Sequence, residues 1–511
     1  MKVDPGRVSE LFAEVGDDDP GYSVAISVDG NIEYAAAFGL ASLELSVPAT
    51  PGTVYEIAST SKQFTAATVL ELAAAGALSL ADPVRRFLPE LPATLFDSIA
   101  VQHLLNHSAG IPDYLVLMAL SGRDGRNTYP AAEIRDLVVS QRRFDFSPGS
   151  RFSYSNTGYL LLADIVERLT ATSLREQLTE RFFQPLGMAA TRLRDDNTMV
   201  IPSRATGYAQ AERAAGWAVS ESLFDVVGDG MIHSTALDLL RWAAHLESSS
   251  GAELAAGLAA ESVLGGGGDY RNGVIVDRWR DQRRLHHAGA WAGFRAQLTR
   301  YPELGLAIAV LANRADAQAS DLVDALAAAI LDPDRSSNQP DGPRLAEVAV
   351  DVTIPTGSYL DEFESTLSQL SREVDGSYRL HGPSGSLRFR ATGADRLESN
   401  DGARIARRSD GELLLSTRSE GEVALRLLDP ADGSQPAAGL FRSEELAAQV
   451  RISEVDSTWY VQLGWQPPCE LVAAGSGYFS AAGAVIRFTP DHDRVLIAAP
   501  RSHPQEFGKL A

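Results

Sequence analysis

Ser59 and Lys62 are the residues whose types and spacing point most directly to chemistry. They stand three residues apart at the start of an apolar run, 64–75, which predicts a buried helix. Residues three apart on a helix share a face, so the two side chains can meet. A serine hydroxyl becomes an effective nucleophile when a base takes its proton, and a buried lysine amine can be that base. The pair therefore indicates a nucleophilic serine.

Lysine usage supports a special role for Lys62. Among the 45 basic residues only Lys2, Lys62 and Lys509 are lysines, and two of these stand at the chain ends. Arginine supplies surface charge equally well but keeps its proton. The alternative is a chance pattern, with Ser59 as a helix cap and Lys62 in solvent. A lysine retained at an apolar helix start favours catalysis. Ser59→Ala and Lys62→Ala are then expected to remove nearly all turnover and to leave the thermal midpoint similar.

Tyr154 and Asn156 form a second candidate pair. They follow a turn at 146–149 and precede an apolar helical run, 159–169, so the pattern places them in a connection between elements. In a structural interpretation Tyr154 packs and Asn156 caps the helix. In a functional one Tyr154 passes a proton to the leaving group and Asn156 orients the substrate amide.

His287, Gly289 and Ala290 form a third candidate segment, after a strand-like run. Glycine allows a ligand or another backbone to approach closely. His286 makes the assignment uncertain by one residue, because alternate residues of a strand face opposite sides and only one histidine can face a given site. A lone histidine is more often structural.

Length and composition restrict the classes of function. The 511 residues favour about three domains of a soluble globular protein. A net charge of −22 argues against nucleic acid or an anionic membrane as a partner. The first residues lack a signal-peptide pattern, and no run approaches about 18 apolar residues, so a cytoplasmic location is expected. The single Cys469 and the nine histidines show no metal-ligand spacing, so neither a metal nor another cofactor is expected.

The pattern of elements indicates how the candidates are positioned. Two apolar runs in 22–38 flank Asp29-Gly30, which predicts a hairpin, and 294–301 and 306–311 predict a second strand pair. The middle of the chain is helical, with apolar residues at helical spacing in 64–75, 159–169 and 237–246. Strands at both ends of a helical middle suggest one antiparallel sheet with flanking helices.

The C-terminal third of the chain has a different sequence pattern. A polar stretch rich in Pro, Gly and Ser, 332–343, predicts a linker, and a second break falls at 429–438. Between and after them, short strand-like runs alternate with turn residues. A weak repeat with an offset of about 81 to 82 residues relates Gly357-Ser-Tyr359 to Gly439-Leu-Phe441. Two small β-barrels are therefore expected.

The three candidate segments, in this order, resemble the motifs of the penicillin-recognising serine hydrolases, the class C β-lactamase-like superfamily. Short segments at 107–110, 112–114, 185–188 and 228–230 also resemble that family, and the resemblance covers residues 20 to about 330. It implies an α/β (α+β) β-lactamase/transpeptidase-like catalytic domain with an antiparallel sheet and flanking helices, followed by two C-terminal antiparallel β-barrels. The expected domains are a serine hydrolase domain, 1–333, and barrels at 344–430 and 438–511.

The resemblance also implies roles for single residues. Ser59 would attack a carbonyl, Lys62 and Tyr154 would handle the proton, and Asn156 would hold the acyl amide. The oxyanion would lie between the backbone N–H groups of Ser59 and Ala290. His287 would orient substrate or tune Tyr154. A further glycine-rich stretch, 473–483, is similar in position to a loop that reaches the cleft in aminopeptidase relatives, although a simple barrel turn explains it as well.

The third motif departs from that of β-lactamases, where it usually opens with a lysine, because here it opens with His287. Together with the two barrels this is similar to the bacterial D-aminopeptidases, so the leading expectation is hydrolysis of N-terminal D-amino acid amides or short peptides. An esterase or transacylase acting on a small molecule is the second interpretation. A non-catalytic ligand-binding or sensing relative is the third. Homo-oligomerisation is left open by the sequence.

Overall fold

The computed structural model describes residues 1–511 except 124–126, 212–215, 263, 265–268, 333–351, 362–365, 374, 383–384, 400–402, 409–410, 418–420, 430–434, 465, 490 and 511. The sequence-predicted linker, 332–343, lies almost wholly outside the described residues, as does half of the second break, 429–438.

The strands of the N-terminal part form one main sheet and three small ones. They are β1 Tyr22–Val28, β2 Asn31–Phe38, β3 Leu40–Ser42, β4 Val47–Pro48, β5 Tyr55–Glu56, β6 Arg192–Leu193, β7 Tyr208–Gln210, β8 Trp217–Val219, β9 Ile232–Ser234, β10 Ile275–Trp279, β11 Gln282–Trp291, β12 Phe294–Tyr301 and β13 Leu306–Ala312. The main sheet is antiparallel, in the order β10-β11-β12-β13-β1-β2.

Both predicted strand pairs are confirmed, and they close one sheet. Asp29 and Gly30 connect β1 to β2 with φ of +49° and +76°, the left-handed values that a two-residue hairpin turn needs. β1 also pairs with β13, from Tyr22 opposite Ala312 to Val28 opposite Leu306. Both strands are buried along their whole length, because helices cover one face and the N- and C-terminal helices of this part cover the other.

Helices occupy the middle of the chain, as predicted. They are α1 Pro5–Glu10, α2 Lys62–Ala74, α3 Ala93–Phe96, α4 Val101–Leu105, α5 Tyr114–Leu120, α6 Ala131–Val139, α7 Asn156–Thr170, α8 Leu174–Leu178, α9 Ala236–Glu247, α10 Ala252–Leu258 and α11 Ala319–Leu331. α2 is buried on nearly all sides and packs against α7, α8 and α10. An apolar helix enclosed in this way gives the residues at its N-terminus a rigid base.

The first C-terminal unit is a closed barrel. Its strands are β14 Gly357–Asp361, β15 Thr366–Arg372, β16 Tyr378–Gly382, β17 Gly385–Gly393, β18 Arg396–Ser399, β19 Arg404–Arg407, β20 Leu413–Thr417 and β21 Gly421–Leu427. Each strand pairs with the next, and β14 pairs with β21 to close the barrel.

The second C-terminal unit is a nearly closed antiparallel barrel in the order β25-β24-β23-β22-β30-β29-β28-β27-β26. Its strands are β22 Gly439–Ser443, β23 Ala448–Val455, β24 Thr458–Leu463, β25 Cys469–Glu470, β26 Val472–Gly475, β27 Tyr478–Ala481, β28 Ala484–Phe488, β29 Arg494–Ala498 and β30 Gln505–Lys509. Gly357 and Gly439 each begin the first strand of a unit, so the weak repeat marks two related barrels. The predicted fold class is confirmed.

The second barrel packs on the helical part through α5. Leu117 and Leu120 are buried in the barrel core beside Phe441 and Ile486. Burying such side chains removes apolar surface from water and fixes the position of the barrel against the helices. The connection between β29 and β30 is thereby held at the catalytic part. No helix in the described ranges has the length and apolar character needed to cross a membrane.

Candidate active site

Ser59 lies in a 3-10 turn, Ala58–Ser61, that leads directly into α2. Ala58 has φ of +45°, a left-handed value that costs an alanine about 1–2 kcal/mol and is found most often at functional sites. The other three residues of the turn are buried, and the Ser59 side chain lines a cleft. The backbone therefore presents this hydroxyl in a fixed direction.

Lys62 contacts Ser59 as its spacing predicts. Its side chain is 0% exposed, and its Nζ donates to Ser59 Oγ at 3.1 Å. Two further acceptors, Asn156 Oδ1 and the Asp229 carbonyl oxygen, each lie 2.8 Å from the same Nζ. Lys62 Nζ thus has three oxygen atoms within hydrogen-bond distance, and one of them is the Ser59 hydroxyl.

Asn156 is held on both sides of its side-chain amide. While Oδ1 accepts from Lys62, Nδ2 donates to Asp113 Oδ2 at 2.8 Å, and the Asn156 backbone N–H donates to the same oxygen at 3.0 Å. Asp113 also caps α5 by accepting from the Leu115 backbone N–H. The carboxylate thereby fixes the amide and leaves one Nδ2 proton for a ligand in the cleft, which Asn156 lines.

Tyr154 places an unpaired hydroxyl beside these groups. Its ring lies 4.1 Å from the His107 ring centroid and 4.9 Å from Lys62 Nζ, and the residue lines the cleft. Its hydroxyl is buried and has no hydrogen-bond partner among the described residues. A buried polar group without a partner is costly, so a partner supplied by a bound substrate would be stabilising.

The two histidines of β11 face opposite sides of the sheet, as strand alternation requires. His287 is buried on the side of Tyr154, with ring centroids 6.2 Å apart, and its Nε2 lies 3.0 Å from the Tyr270 hydroxyl. His286 lies on the other face, 3.5 Å from Asp277. His287 is therefore the histidine on the side of the nucleophile.

The surroundings of His287 keep it neutral. Burial, together with the positive charge of Lys62, lowers the pKa of His287 to about 3. The ring lies behind Tyr154, and Ala290 and Trp291 are the residues of β11 that line the cleft. From this position His287 can influence Tyr154, which is one of its two expected roles, more directly than it can contact a substrate.

Gly289 allows β11 to pass directly beside the nucleophile segment. A Cβ at this position would clash with the Ile57 carbonyl oxygen and would lie 3.1 Å from Thr60 Oγ1. Thr60 Oγ1 also donates to the His287 carbonyl oxygen at 3.2 Å. The strand and the turn thus touch through their backbones, which places Ala290 beside Ser59.

Gly289→Ala is expected to lower kcat/KM about 10²-fold and to destabilise the fold by about 1–3 kcal/mol. The added methyl group forces β11 away from Ile57, and a displacement near 1 Å is enough to misplace the groups around the nucleophile. Steady-state kinetics and thermal unfolding measure the two effects. Gly508→Ala is the matched control, because a Cβ there meets no atom within 4 Å and its φ, like that of Gly289, lies outside the left-handed region. Wild-type activity in Gly289→Ala would contradict the contact.

Arg501, in the connection between β29 and β30, is a cleft residue that the sequence did not reveal. Its Nη1 lies 3.4 Å from Asp113 Oδ2, and its guanidinium lies 5.9 Å from the Tyr154 ring centroid. Its carbonyl oxygen accepts from the Asp113 backbone N–H at 3.0 Å. The second barrel therefore supports the carboxylate that holds Asn156.

The stretch 473–483 does not have the position suggested by its likeness to the aminopeptidase loop. It forms the hairpin of β26 and β27, and it packs on the first barrel, where Ala474 and Tyr478 contact Leu360 and Leu428. The glycines serve the turn, since Gly475 and Gly477 have positive φ. The segment of the second barrel that reaches the cleft is instead the connection that contains Arg501.

Arg501→Ala is expected to lower kcat/KM about tenfold, since a partly exposed ion pair contributes about 1 kcal/mol and Asp113 also fixes Asn156. Arg501→Lys is expected to restore part of the activity. Steady-state kinetics of both variants measure this positioning role. Arg494→Ala, which removes an exposed pair with Glu506 on the same barrel, is the control. Equal loss in Arg501→Ala and Arg501→Lys would contradict the ion-pair role.

Two acidic side chains also line the cleft. Glu56 is 2% exposed and Asp229 is 8% exposed. Burial raises the pKa of Glu56 to about 7, against the opposing charges of Arg194 and Arg204. Burial also raises the pKa of Asp229, against the opposing charge of Lys62. The lining of the cleft therefore contains Ser59 and an acidic wall that is formed by Glu56 and Asp229.

The cleft has a volume of about 230 Å³ and is partly open to solvent, which suits a small molecule or the end of a peptide. Its apolar residues are Ala58, Leu115, Phe224, Val226, Met231, Ala290 and Trp291. Its polar residues put a serine, a lysine-linked amide and a free phenol on one surface. This arrangement can carry out acyl transfer through a covalent serine intermediate.

Sequence reasoning placed Ser59, Lys62, Tyr154, Asn156, His287, Gly289 and Ala290 at one site, and the structure brings them together. The sequence analysis did not identify five further residues of the site, which are Asp113, Tyr114, Asp229, Tyr270 and Arg501. The segments 112–114 and 228–230 carried a signal for the first three. Nothing in the sequence near Arg501 indicated a contact with the catalytic part.

Comparisons with known proteins agree with this geometry. A D-aminopeptidase from Brucella anthropi is 28% identical over 454 residues, which is 86% of this chain and 82% of that protein. The octameric penicillin-binding protein homologue from Pyrococcus abyssi is similar in structure, with a TM-score of 0.59 and 23% identity over 83% of this chain and 100% of its own. The structure of D-amino acid amidase from Ochrobactrum anthropi SV3 is also similar, with a TM-score of 0.53 and 23% identity over 64% of this chain and 99% of its own.

A family model also matches the N-terminal part of the chain. The model described as Beta-lactamase matches residues 8–332, which is more than half of the chain and includes all the candidate residues except Arg501. This range ends at α11 and leaves out both barrels. The chain belongs to the β-lactamase family.

Proposed function

We propose that this protein is a serine hydrolase that forms an acyl-enzyme at Ser59 and releases the N-terminal D-residue from amides or short peptides. The contact of Lys62 Nζ with Ser59 Oγ at 3.1 Å is the observation that carries the proposal. The D-aminopeptidases of Brucella anthropi and Cereibacter sphaeroides, at 28% and 26% identity over 86% of this chain, support the choice of bond and substrate.

The first chemical step is acylation. In this step Lys62 acts as the neutral amine, so the Ser59 hydroxyl donates to Nζ and gives up its proton there while Ser59 Oγ attacks the carbonyl carbon of the substrate. The oxyanion is stabilised by the backbone N–H groups of Ser59 and Ala290, and each such donor contributes about 10²- to 10³-fold. Tyr154 then passes its proton to the departing amine as the carbon–nitrogen bond breaks, and it recovers a proton from Lys62, so that Lys62 is again a free base. The product of this step is an ester of Ser59.

The second step is hydrolysis of that ester. Water loses a proton to the same base and attacks the acyl carbon, and Ser59 recovers its proton as it departs. One amide and one water thus give one acid and one amine. Asn156 holds the acyl part throughout, because Lys62 and Asp113 fix its amide from both sides.

Hydrolysis of D-alanine p-nitroanilide against its L-isomer tests the proposal, with Ser59→Ala as the blank. Release that is D-selective and depends on Ser59 supports it. If neither isomer is cleaved by the folded protein, the D-aminopeptidase assignment fails. The alternatives are then an esterase or a transacylase, which product analysis with and without an added amine or alcohol distinguishes. A Ser59 that acylates without turnover would indicate a sensing relative.

Location and assembly are part of the same proposal. A cytoplasmic location is proposed from the sequence and is tested by cell fractionation. Homo-oligomerisation is proposed because a structurally similar penicillin-binding protein homologue is described as octameric. Light scattering of the purified chain measures the number of copies.

A further inference from the structure

The side-chain carboxylate of Asp229 is only partly used within the protein. Its Oδ2 accepts from the Tyr114 hydroxyl at 2.9 Å, and Tyr114 is the one side chain that hydrogen-bonds to it in the described part of the chain. The backbone of the same residue holds the base, because its carbonyl oxygen accepts from Lys62 Nζ. Asp229 therefore lines the cleft, and its carbonyl oxygen is one hydrogen bond away from Lys62.

Glu56 is a second acid on the same wall. It is 2% exposed, lines the cleft, and has neither a side-chain hydrogen bond nor an ion pair among the residues that the structure describes. A carboxylate buried in this way is unfavourable unless a donor or a cation satisfies it. The charge of Asp229 also disfavours ionisation of Glu56.

The cations near the cleft are already engaged. Lys62 donates its three hydrogen bonds to Ser59, Asn156 and the Asp229 carbonyl oxygen. Arg501 pairs with Asp113, a different carboxylate. Within the described ranges no arginine or lysine forms an ion pair with Asp229 or Glu56. The wall therefore has two acids without a direct ion pair among the described residues, and only the more distant charges of Arg194 and Arg204 act on Glu56 and that of Lys62 on Asp229.

We propose that Asp229 and Glu56 bind the ammonium group of the substrate's N-terminal residue. This rests on the proposed function, since it assigns the residues that select a free amine. In an N-terminal residue the ammonium nitrogen lies two bonds, about 2.5 Å, from the carbonyl carbon that Ser59 attacks. A receptor for it must lie beside the nucleophile, which is where Lys62 connects Ser59 to Asp229.

Binding by Ser59→Ala protein tests this without turnover. The probes are D-phenylalanine amide and 3-phenylpropionamide, which differ only in the ammonium group, titrated by calorimetry or NMR. The amine is expected to bind about 10- to 100-fold more tightly, as for hydrogen bonds to charged groups. Asp229→Asn in the same background is expected to remove this preference, while 3-phenylpropionamide binds as before. Glu56→Gln is expected to reduce it partly.

Asp225→Asn is the matched control. It removes the same charge four residues earlier, but this carboxylate accepts from Asn197 and does not line the cleft. The preference should persist there. Equal affinities for the two probes, no binding of the amine, or a preference retained in Asp229→Asn would overturn the inference. If the preference is present but D-alanine p-nitroanilide is not cleaved, the proposed function fails and the ammonium site stands.

Discussion

Ser59→Ala is expected to lower turnover by at least about 10⁴-fold while the protein stays folded. The hydroxyl is the atom that would bond to the acyl group, and losses of this size follow removal of a serine nucleophile. The side chain accepts one hydrogen bond, from Lys62, and lines an open cleft. The free energy of unfolding should therefore change by less than about 1 kcal/mol. Turnover and thermal unfolding measure the two effects.

A covalent label separates this result from loss of fold. A fluorophosphonate probe should add one label to the wild type, at Ser59 by peptide mass, and none to Ser59→Ala. Ser61→Ala is a control on the neighbouring serine, whose hydroxyl accepts from the Ile232 backbone N–H rather than from Lys62. Substantial turnover by unlabelled Ser59→Ala would refute the acyl-enzyme.

Lys62→Ala is expected to lower kcat by at least about 10³-fold, because the base that activates Ser59 is gone. Here the structure changes the expectation from sequence, which predicted an unchanged thermal midpoint. Lys62 is completely buried, and its removal leaves Asn156 Oδ1 and the Asp229 carbonyl oxygen without their donor. Each unsatisfied acceptor costs about 1–3 kcal/mol, so the midpoint should fall.

Small primary amines provide the decisive measurement for Lys62. The alanine leaves a cavity beside Ser59, so added ethylamine should restore part of the activity of Lys62→Ala and none of Ser59→Ala. Lys509→Ala removes an exposed lysine at the chain end and should behave as wild type. Kinetics close to wild type in Lys62→Ala would show that another group takes the Ser59 proton.

Several elements of the fold could be predicted because their causes are local. Asp29-Gly30 supplies the backbone conformation that a tight hairpin needs, so the pairing of β1 with β2 follows from adjacent residues. The apolar run 64–75 predicted a buried helix, and α2 is enclosed by three other helices. The repeat that begins at Gly357 and Gly439 predicted two barrels of related construction.

For strands that are far apart in the chain, the sequence only suggested which of them pair and in what register. That β1 pairs with β13, and that β14 closes a barrel with β21, depends on contacts between segments far apart in the sequence. Periodicity gives the face of a strand but not its partner. The order of the main sheet thus required the tertiary structure.

The contacts within the candidate pairs were determined by the sequence itself. Ser59 and Lys62 meet because residues three apart at a helix start share a face, and Tyr154 and Asn156 follow one another into α7. Strand alternation required His286 and His287 to face opposite sides. These relations depend on the geometry of one element, which short stretches of sequence specify.

The tertiary structure alone decided which histidine faces Tyr154, which segment of the second barrel reaches the cleft, and which acids line it. Arg501 meets Asp113 only because the barrel core encloses Leu117 and Leu120 of α5. Asp229 and Glu56 both line the cleft, although they belong to segments far apart in the sequence. Such contacts depend on the packing of whole elements, because burial and not spacing brings these side chains together.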